Sequence, residues 1–273
     1  MMGLMRVKSC AVLMAVCVLL TGASRAVAQA PDTVFLEELT WTELRDAIRS
    51  GKTTIILPTG GTEQNGPHMA LGKHNARVKR LSEKIARSLG NALVAPVLAY
   101  VPEGPLAPPA GHMRFPGTIT VPDAVFQRTL ASAAGSFKLH GFRDIVFLGD
   151  HGGSQADQRA VAARLNREWA ATGVRVHAID EYYRAADVDF RQLLRSRGYG
   201  DGELGAHAGL LDTSLTLAID PHLVRAGQMK PGRRDRDGVD GDPSRASAEL
   251  GRLGEELIVT RAVEAIKRST TRR

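Results

Sequence analysis

The chain has 273 residues, 24% of them charged and 5% aromatic, with a formal charge of +7 at neutral pH. That length suits one large domain or two small ones. So few aromatics, with basic residues scattered along the chain, argue against base stacking and against a nucleic-acid partner.

Residues 1–30 carry the parts of a secretory signal peptide in order: a basic start at Arg6 and Lys8, an apolar run from Cys10 to Leu20, and the small-x-small cleavage site Ala28-Gln29-Ala30. The run falls short of the roughly 20 residues that span a bilayer, and no later segment is apolar for longer. The sequence therefore predicts an exported protein, periplasmic or secreted, that starts near Pro31 and keeps no membrane segment after processing. A single domain is expected over 31–273. Without Arg6, Lys8 and Arg25 the chain keeps 33 basic against 29 acidic residues, a net charge of +4. Both cysteines, Cys10 and Cys17, leave with the leader, so no disulfide is expected and any metal must be held by His, Asp, Glu or Asn.

Past the leader, Thr40-Trp41-Thr42-Glu43 is a capping box opening a short helix that runs to about Arg49. Thr53 to Leu57 is a β-branched, apolar strand stopped by Pro58-Thr59-Gly60-Gly61. Val78, Leu81, Ile85 and Leu89 recur at helical spacing and predict a helix over 75–89. Ala92 to Ala99 reads as a second buried strand. The proline-rich stretch from Pro102 to Phe115 must be a loop, and Thr118 to Val121 is a short extended piece. Pro122-Asp123 starts a helix ending around His140-Gly141, and Asp144 to Leu148 is a third strand. Ala156 to Thr172 and Val174 to Ile179 supply a further helix and strand. Strands alternating with helices predict an α/β fold whose largely parallel sheet is covered on both faces. Such sheets bind ligands beyond the carboxyl ends of their strands. Glu63 follows the first strand and His151 the third, so both belong on that rim.

Three clusters carry candidate chemistry: Glu63-Gln64-Asn65-Gly66-Pro67-His68 with His74, Gly149-Asp150-His151-Gly152-Gly153-Ser154, and His207-Ala208-Gly209 with Asp212-Thr213-Ser214. Any one loop histidine alone is most simply a surface or core residue, and an acid in a turn is usually a cap. Neither glycine cluster ends in the Lys-Ser/Thr of a phosphate loop, and Ser154 lacks the G-x-S-x-G setting of a serine nucleophile.

Together the clusters resemble the creatininase family. Its first motif, L-P-x-G-S-x-E-Q-H-G-P-H-L-P-L-x-x-D, is matched by Leu57, Pro58, Gly60, Glu63, Gln64, Gly66, Pro67, His68 and Leu71. Its N-G-H-G-G-N segment is matched by His151, Gly152 and Gly153, and its H-A-G-x-x-E-T-S segment by His207, Ala208, Gly209, Thr213 and Ser214. Phe115-Pro116-Gly117-Thr118 and the segment Gly238 to Pro243 look like two more family segments, and the match covers about residues 40–265. The resemblance implies a three-layer αβα fold, a homo-oligomer that is commonly a hexamer, and a divalent metal centre hydrolysing non-peptide C–N bonds of a small-molecule substrate, often a cyclic amide.

The chain departs from the family at the metal. The family usually holds two ions, with a bridging Asp eleven residues after the Glu and a histidine two residues after it. Here those positions are His74 and Asn65, and the Glu of the third motif is Asp212. Imidazole offers one lone pair and bridges poorly, and an amide carbonyl is a weak zinc ligand. The expectation is therefore one ion, Zn or else Mn, on Glu63, His74 and His151, two nitrogens and one oxygen with a water in the fourth place. A two-ion site drawing on Asp150, His68 or Asp212, or no ion at all, stays open. His207 is the candidate for proton transfer to the leaving nitrogen, and Asp150 for orienting a ligand or water. His112 is expected at the pocket entrance or exposed. Lactone hydrolysis and non-catalytic binding of a small molecule are the alternatives to amide hydrolysis.

Overall fold

Two strands buried along their whole lengths, β1 (Thr54–Thr59) and β3 (Asp144–Gly149), form the centre of a parallel sheet. They pair from Thr54↔Asp144 to Thr59↔Gly149. With β2 (Ala92–Val94) beside β1 and β4 (Arg175–Ala178) beside β3, the order is β2-β1-β3-β4, all parallel. The structure, a computed structural model, describes residues 31–271. The signal-peptide assignment to residues 1–30 lies outside them.

Alternate strand residues feed two separate cores. Ile56, Val146 and Leu148 pack with Val78, Leu81 and Ile85 of α2 (Lys73–Leu89) and with Ile258 and Ala262. Ile55, Leu57, Ile145 and Phe147 pack instead with Phe126, Leu130, Val161 and Leu165. The first layer contains α2, α8 (Leu210–Ile219) and α9 (Ala248–Thr271); the second contains α3 (Asp123–His140) and α4 (Gln155–Glu168). The result is the expected three-layer αβα arrangement. The remaining helices are α1 (Trp41–Arg49), α5 (Asp180–Arg184), which runs through a π-turn at Ala185–Asp189 into α6 (Phe190–Ser196), and α7 (Asp201–Leu204). The capping box of α1 forms on both sides: Glu43 N–H donates to Thr40 Oγ1, and Thr40 N–H to Glu43 Oε2.

Two differences from the sequence expectation bear on the site. The second strand stops at Val94 rather than Ala99, because Pro96 has no N–H to continue a ladder. The chain stays beside β1 through single bonds instead, Leu98 N–H to Pro58 O at 3.0 Å among them. Helix α2 starts at Lys73, before the periodic apolar residues begin. Its first turn therefore projects Lys73, His74 and Arg77 from the buried side of the helix.

Candidate active site

The loop after β1 carries Glu63, the loop after β3 carries Asp150 and His151, and α2 begins between them. They line a cavity of about 170 Å³ together with Lys73, Arg77, His112, Tyr183, His207 and Asp212. Of the candidate metal and catalytic residues, Glu63, His74, Asp150, His151, His207 and Asp212 face this cavity, and Asn65 and His68 do not.

Glu63 is the hub and is 1% exposed. Its Oε1 accepts from His74 Nε2 at 2.8 Å, while Oε2 has no hydrogen-bond partner. Burial works to raise its pKa, but the hydrogen bond and charge of His74, aided by Lys73, outweigh it and hold the carboxyl well below its usual range. Around it the ring nitrogens stand off at distances too long for good hydrogen bonds: His112 Nε2 at 3.5 Å and His151 Nε2 at 3.7 Å from Oε2, and His207 Nδ1 at 3.8 Å from Oε1. Glu103, which sequence reasoning missed, lies against His151, Oε2 to Nε2 3.2 Å, without hydrogen-bond geometry at either oxygen. Burial raises the Glu103 pKa, and Glu103 in turn raises that of His151 against the effect of burial.

Two groups of three therefore converge, each with ligand atoms within 4.8 Å of one another: Glu63, Glu103 and His151, and Glu63, His112 and His207. Tetrahedral ligands at zinc bond lengths of ~2.0–2.1 Å stand roughly 3.3–3.4 Å apart. In the first group His151 Nε2 stands 3.2 Å from Glu103 Oε2 and 3.7 Å from Glu63 Oε2, on either side of that spacing. Three buried carboxylate oxygens, Glu63 Oε2 and both of Glu103, have no hydrogen-bond partners. Burying such charge uncompensated is costly, and a cation among these atoms removes the cost. The donor set fits a divalent ion.

The remaining candidates are engaged elsewhere. His74 is clamped between carboxylates, with Nδ1 2.5 Å from Asp150 Oδ1, and is not in either converging group. Asp150 has no spare capacity: Arg77 donates to Oδ1 at 2.6 and 3.0 Å, and Tyr182 OH to Oδ2 at 2.8 Å. Asp212 accepts from Lys73 Nζ at 2.8 Å, Arg77 Nη1 at 2.7 Å and Ala208 N–H at 2.9 Å. Burial alone would raise these two acids. Lys73 and Arg77 hold Asp212 well below its ordinary value, and Arg77 with His74 does so for Asp150. Asn65 spends its amide N–H groups on Glu63 O and Ala70 O, pinning the turn that presents Glu63. His68 is fully buried against Thr213 Oγ1 at 3.0 Å, and burial lowers its pKa to about 4. Burial likewise lowers His207, to about 3.

Two glycines make room for the donor set. A Cβ on Gly61, at φ +152°, would lie 2.9 Å from Glu103 Oε1, and one on Gly153 would lie 2.8 Å from His151 Cε1. Both are contacts that real Cβ atoms avoid.

The creatininase family model, described as creatinine amidohydrolase, matches residues 37–266. This chain belongs to the creatininase family. The creatinine amidohydrolase of Pseudomonas putida is 26% identical over 266 residues, 86% of this chain and 96% of that protein. A 3-dehydro-scyllo-inosose hydrolase of Thermotoga maritima is 30% identical over 205 residues, 71% of this chain and 58% of that protein. A mycofactocin precursor peptide peptidase of Mycolicibacterium smegmatis is 27% identical over 223 residues, 76% of each. A solved creatinine amidohydrolase superposes with a TM-score of 0.73 at 26% identity, covering 89% of this chain and all (100%) of that one. A creatininase with Mn gives 0.71 at 27% identity (87% and 98% covered), and a mutant creatininase of Zn–Zn type gives 0.70 at 27% (88% and 99%).

Two of the three relatives are hydrolases by name and the third a peptidase, and the creatininase structures with Mn and Zn agree with a divalent-ion site. In this chain Lys73 and Arg77 occupy the carboxylates beside the site, Lys73 on Asp212 and Arg77 on both Asp150 and Asp212. Neither cation stood out in the sequence, although one signal was there. The buried stripe of Val78, Leu81 and Ile85 continues one turn backward onto His74 and Arg77, where apolar residues give way to charge.

Proposed function

We propose that this chain is an exported, metal-dependent hydrolase of a non-peptide C–N bond in a small amide, cyclic amides included. Its ion, zinc or manganese, would sit on Glu63, Glu103 and His151. The observation that carries this reading is the set of unpartnered buried carboxylate oxygens converging on His151 Nε2. A divalent ion held there would polarise a substrate carbonyl and lower the pKa of a water.

The chain's own groups supply the rest. His207 Nε2 donates to Gln64 O at 2.9 Å, which leaves the Nδ1 lone pair toward Glu63 and the cavity. A neutral ring so placed can accept a hydrogen bond from the attacking water and relay its proton toward the leaving nitrogen. His74, held by Asp150, fixes the rotamer of Glu63 through Oε1. The cavity is small beside the roughly 300–1,000 Å³ of drug-sized ligand sites, which favours a compact substrate over a peptide. Assembly as a homo-oligomer belongs to the same proposal and is read by sedimentation of the processed protein.

The test is hydrolysis of matched δ-valerolactam and δ-valerolactone by purified protein of known zinc or manganese content. Lactam turnover that disappears with chelator and returns with the ion supports amide hydrolysis. Turnover of the lactone alone moves the assignment to a lactonase. Protein that binds neither ion overturns the metal-dependent reading and leaves a binding protein on the creatininase scaffold.

A further inference from the structure

His112 belongs by distance to a second three-ligand group with Glu63 and His207, yet its hydrogen bonds argue against a ligand. The decisive residue is Gln64. Gly66 N–H donates to Gln64 Oε1 at 3.0 Å, which fixes the amide orientation and identifies the other atom as the NH₂ donor. That NH₂ lies 2.8 Å from His112 Nδ1. An NH₂ group cannot accept, so Nδ1 must be the bare acceptor nitrogen, and the neutral ring carries its proton on Nε2. The proton-bearing Nε2 is the atom that faces Glu63 and the cavity. A histidine that binds metal normally does the reverse, donating from its far nitrogen and offering the near lone pair.

The backbone carbonyl of the same residue acts on His207. His207 Nε2 lies 2.9 Å from Gln64 O, which can only accept, and 3.2 Å from the Gln64 NH₂, which can only donate. The shorter contact makes Nε2 the donor, and that ring offers the cavity its bare Nδ1. The two rings lie 4.4 Å apart between centroids. One presents a donor and the other an acceptor, each set by one group of Gln64.

We infer that His112 is a hydrogen-bond donor to the substrate's carbonyl oxygen, not a metal ligand, and that Gln64 is the positioning residue that locks its tautomer. The inference rests on the hydrolase reading for the identity of the acceptor, but the tautomer itself does not. A fixed Nε2–H aimed at the place where negative charge develops on oxygen stabilises the transition state without reorganisation. Without His112 the second group keeps only Glu63 and His207, so the three-ligand set is Glu63, Glu103 and His151, and the other side of Glu63 is left for the substrate.

The experiment uses ¹⁵N-histidine-labelled, metal-free processed protein and two-bond ¹H–¹⁵N spectra, with His112 assigned from the signal missing in His112→Gln. His112 should show a protonated Nε2 and a bare Nδ1. In Gln64→Glu, where only acceptors face the ring, the proton should move to Nδ1; a purely structural role for Gln64 would leave it in place. Metal content gives a second arm. His112→Gln and His112→Ala should keep the ion of the unmodified protein, whereas Glu103→Ala should lose it. On whichever of δ-valerolactam and δ-valerolactone is turned over, His112→Ala should lower kcat about 100-fold with KM little changed, and His112→Gln should recover part of the loss through its amide N–H. A bare Nε2 in the unmodified protein, or loss of the ion in both His112 variants, would overturn the inference. Failure to hydrolyse either probe with the tautomer as stated would fault the hydrolase reading alone.

Discussion

Replacing Glu103 by Gln should move two properties in opposite directions. In metal-free protein the Glu103 carboxyl is buried, its pKa is raised by that burial, and neither oxygen has a hydrogen-bond partner. A buried unsatisfied polar group is costly, and more so when charged. Gln keeps the polar group but removes the charge, so it should stabilise the metal-free fold at pH 7 by about 1 kcal/mol. The sign follows from linkage. A raised carboxyl pKa means the folded state binds more protons, so this part of the stability is present at low pH and is lost as pH rises through the folded pKa. The Gln variant should lack that loss. Metal affinity should fall, since an amide oxygen replaces a carboxylate in a three-ligand set. At a free zinc concentration of about 100 times the parent's Kd, zinc stabilises the parent by about 2.7 kcal/mol; a variant weakened about 100-fold gains only about 0.4 kcal/mol. Urea unfolding in chelator and in buffered zinc reads both quantities. A Gln variant that is less stable without metal, or equally stabilised by zinc, would refute the placement of the ion on Glu103.

Elemental analysis after dialysis should find about one ion per chain, and His74→Asp should leave that count at one, because Arg77 still occupies Asp150 and Asp212; two tightly held ions would contradict this. Lys73→Met should cost about 3 kcal/mol, as expected when one partner of a buried pair is removed, and adding Asp212→Asn should recover part of it, as measured by a double-mutant cycle in urea. His68, held at about 4 by burial, is below its unfolded value, so its contribution is complete above about pH 6.5 and is lost as pH falls toward about 4; unfolding free energies of His68→Gln should vary less over that window. Intact mass of exported protein should place the N-terminus at or near Pro31, and a chain retaining residues 1–30 would refute the cleavage site.

Much of the fold was legible because parallel strands buried on both faces are apolar throughout and helices mark themselves by period. Ile55 and Ile56 face opposite layers, so a run such as Ile55–Leu57 must be apolar at every position. The loss of β2 after Val94 was written in Pro96 but hidden by the apolar residues around it. The rim position of Glu63, Asp150 and His151 followed from strand ends alone. Glu103 was not legible, because it reaches the site from the proline-rich loop across a gap where Gly61 carries no side chain. His112 lies in that same loop, and its contact with Gln64 spans 48 residues that no local pattern connects.

The substitutions at positions 65, 74 and 212 make sense together with Lys73 and Arg77. A carboxylate at position 74 would stand beside Asp150 Oδ1, now 2.5 Å from the ring, and beside Glu63. Three acids in contact need compensating positive charge, which bound ions would supply. Here Arg77 is buried between Asp150 and Asp212, Lys73 completes Asp212, and a ring at position 74 links Glu63 to Asp150 without adding negative charge. The positive charge beside these carboxylates is thus covalently built into the first turn of α2. On the far side of Glu63, no lysine or arginine among the described residues pairs with Glu103, and its two oxygens stay unpartnered. The part of the cavity that still calls for a cation is therefore the Glu103–His151 side, and that asymmetry supports one ion per chain in a protein whose scaffold resembles that of a Zn–Zn creatininase.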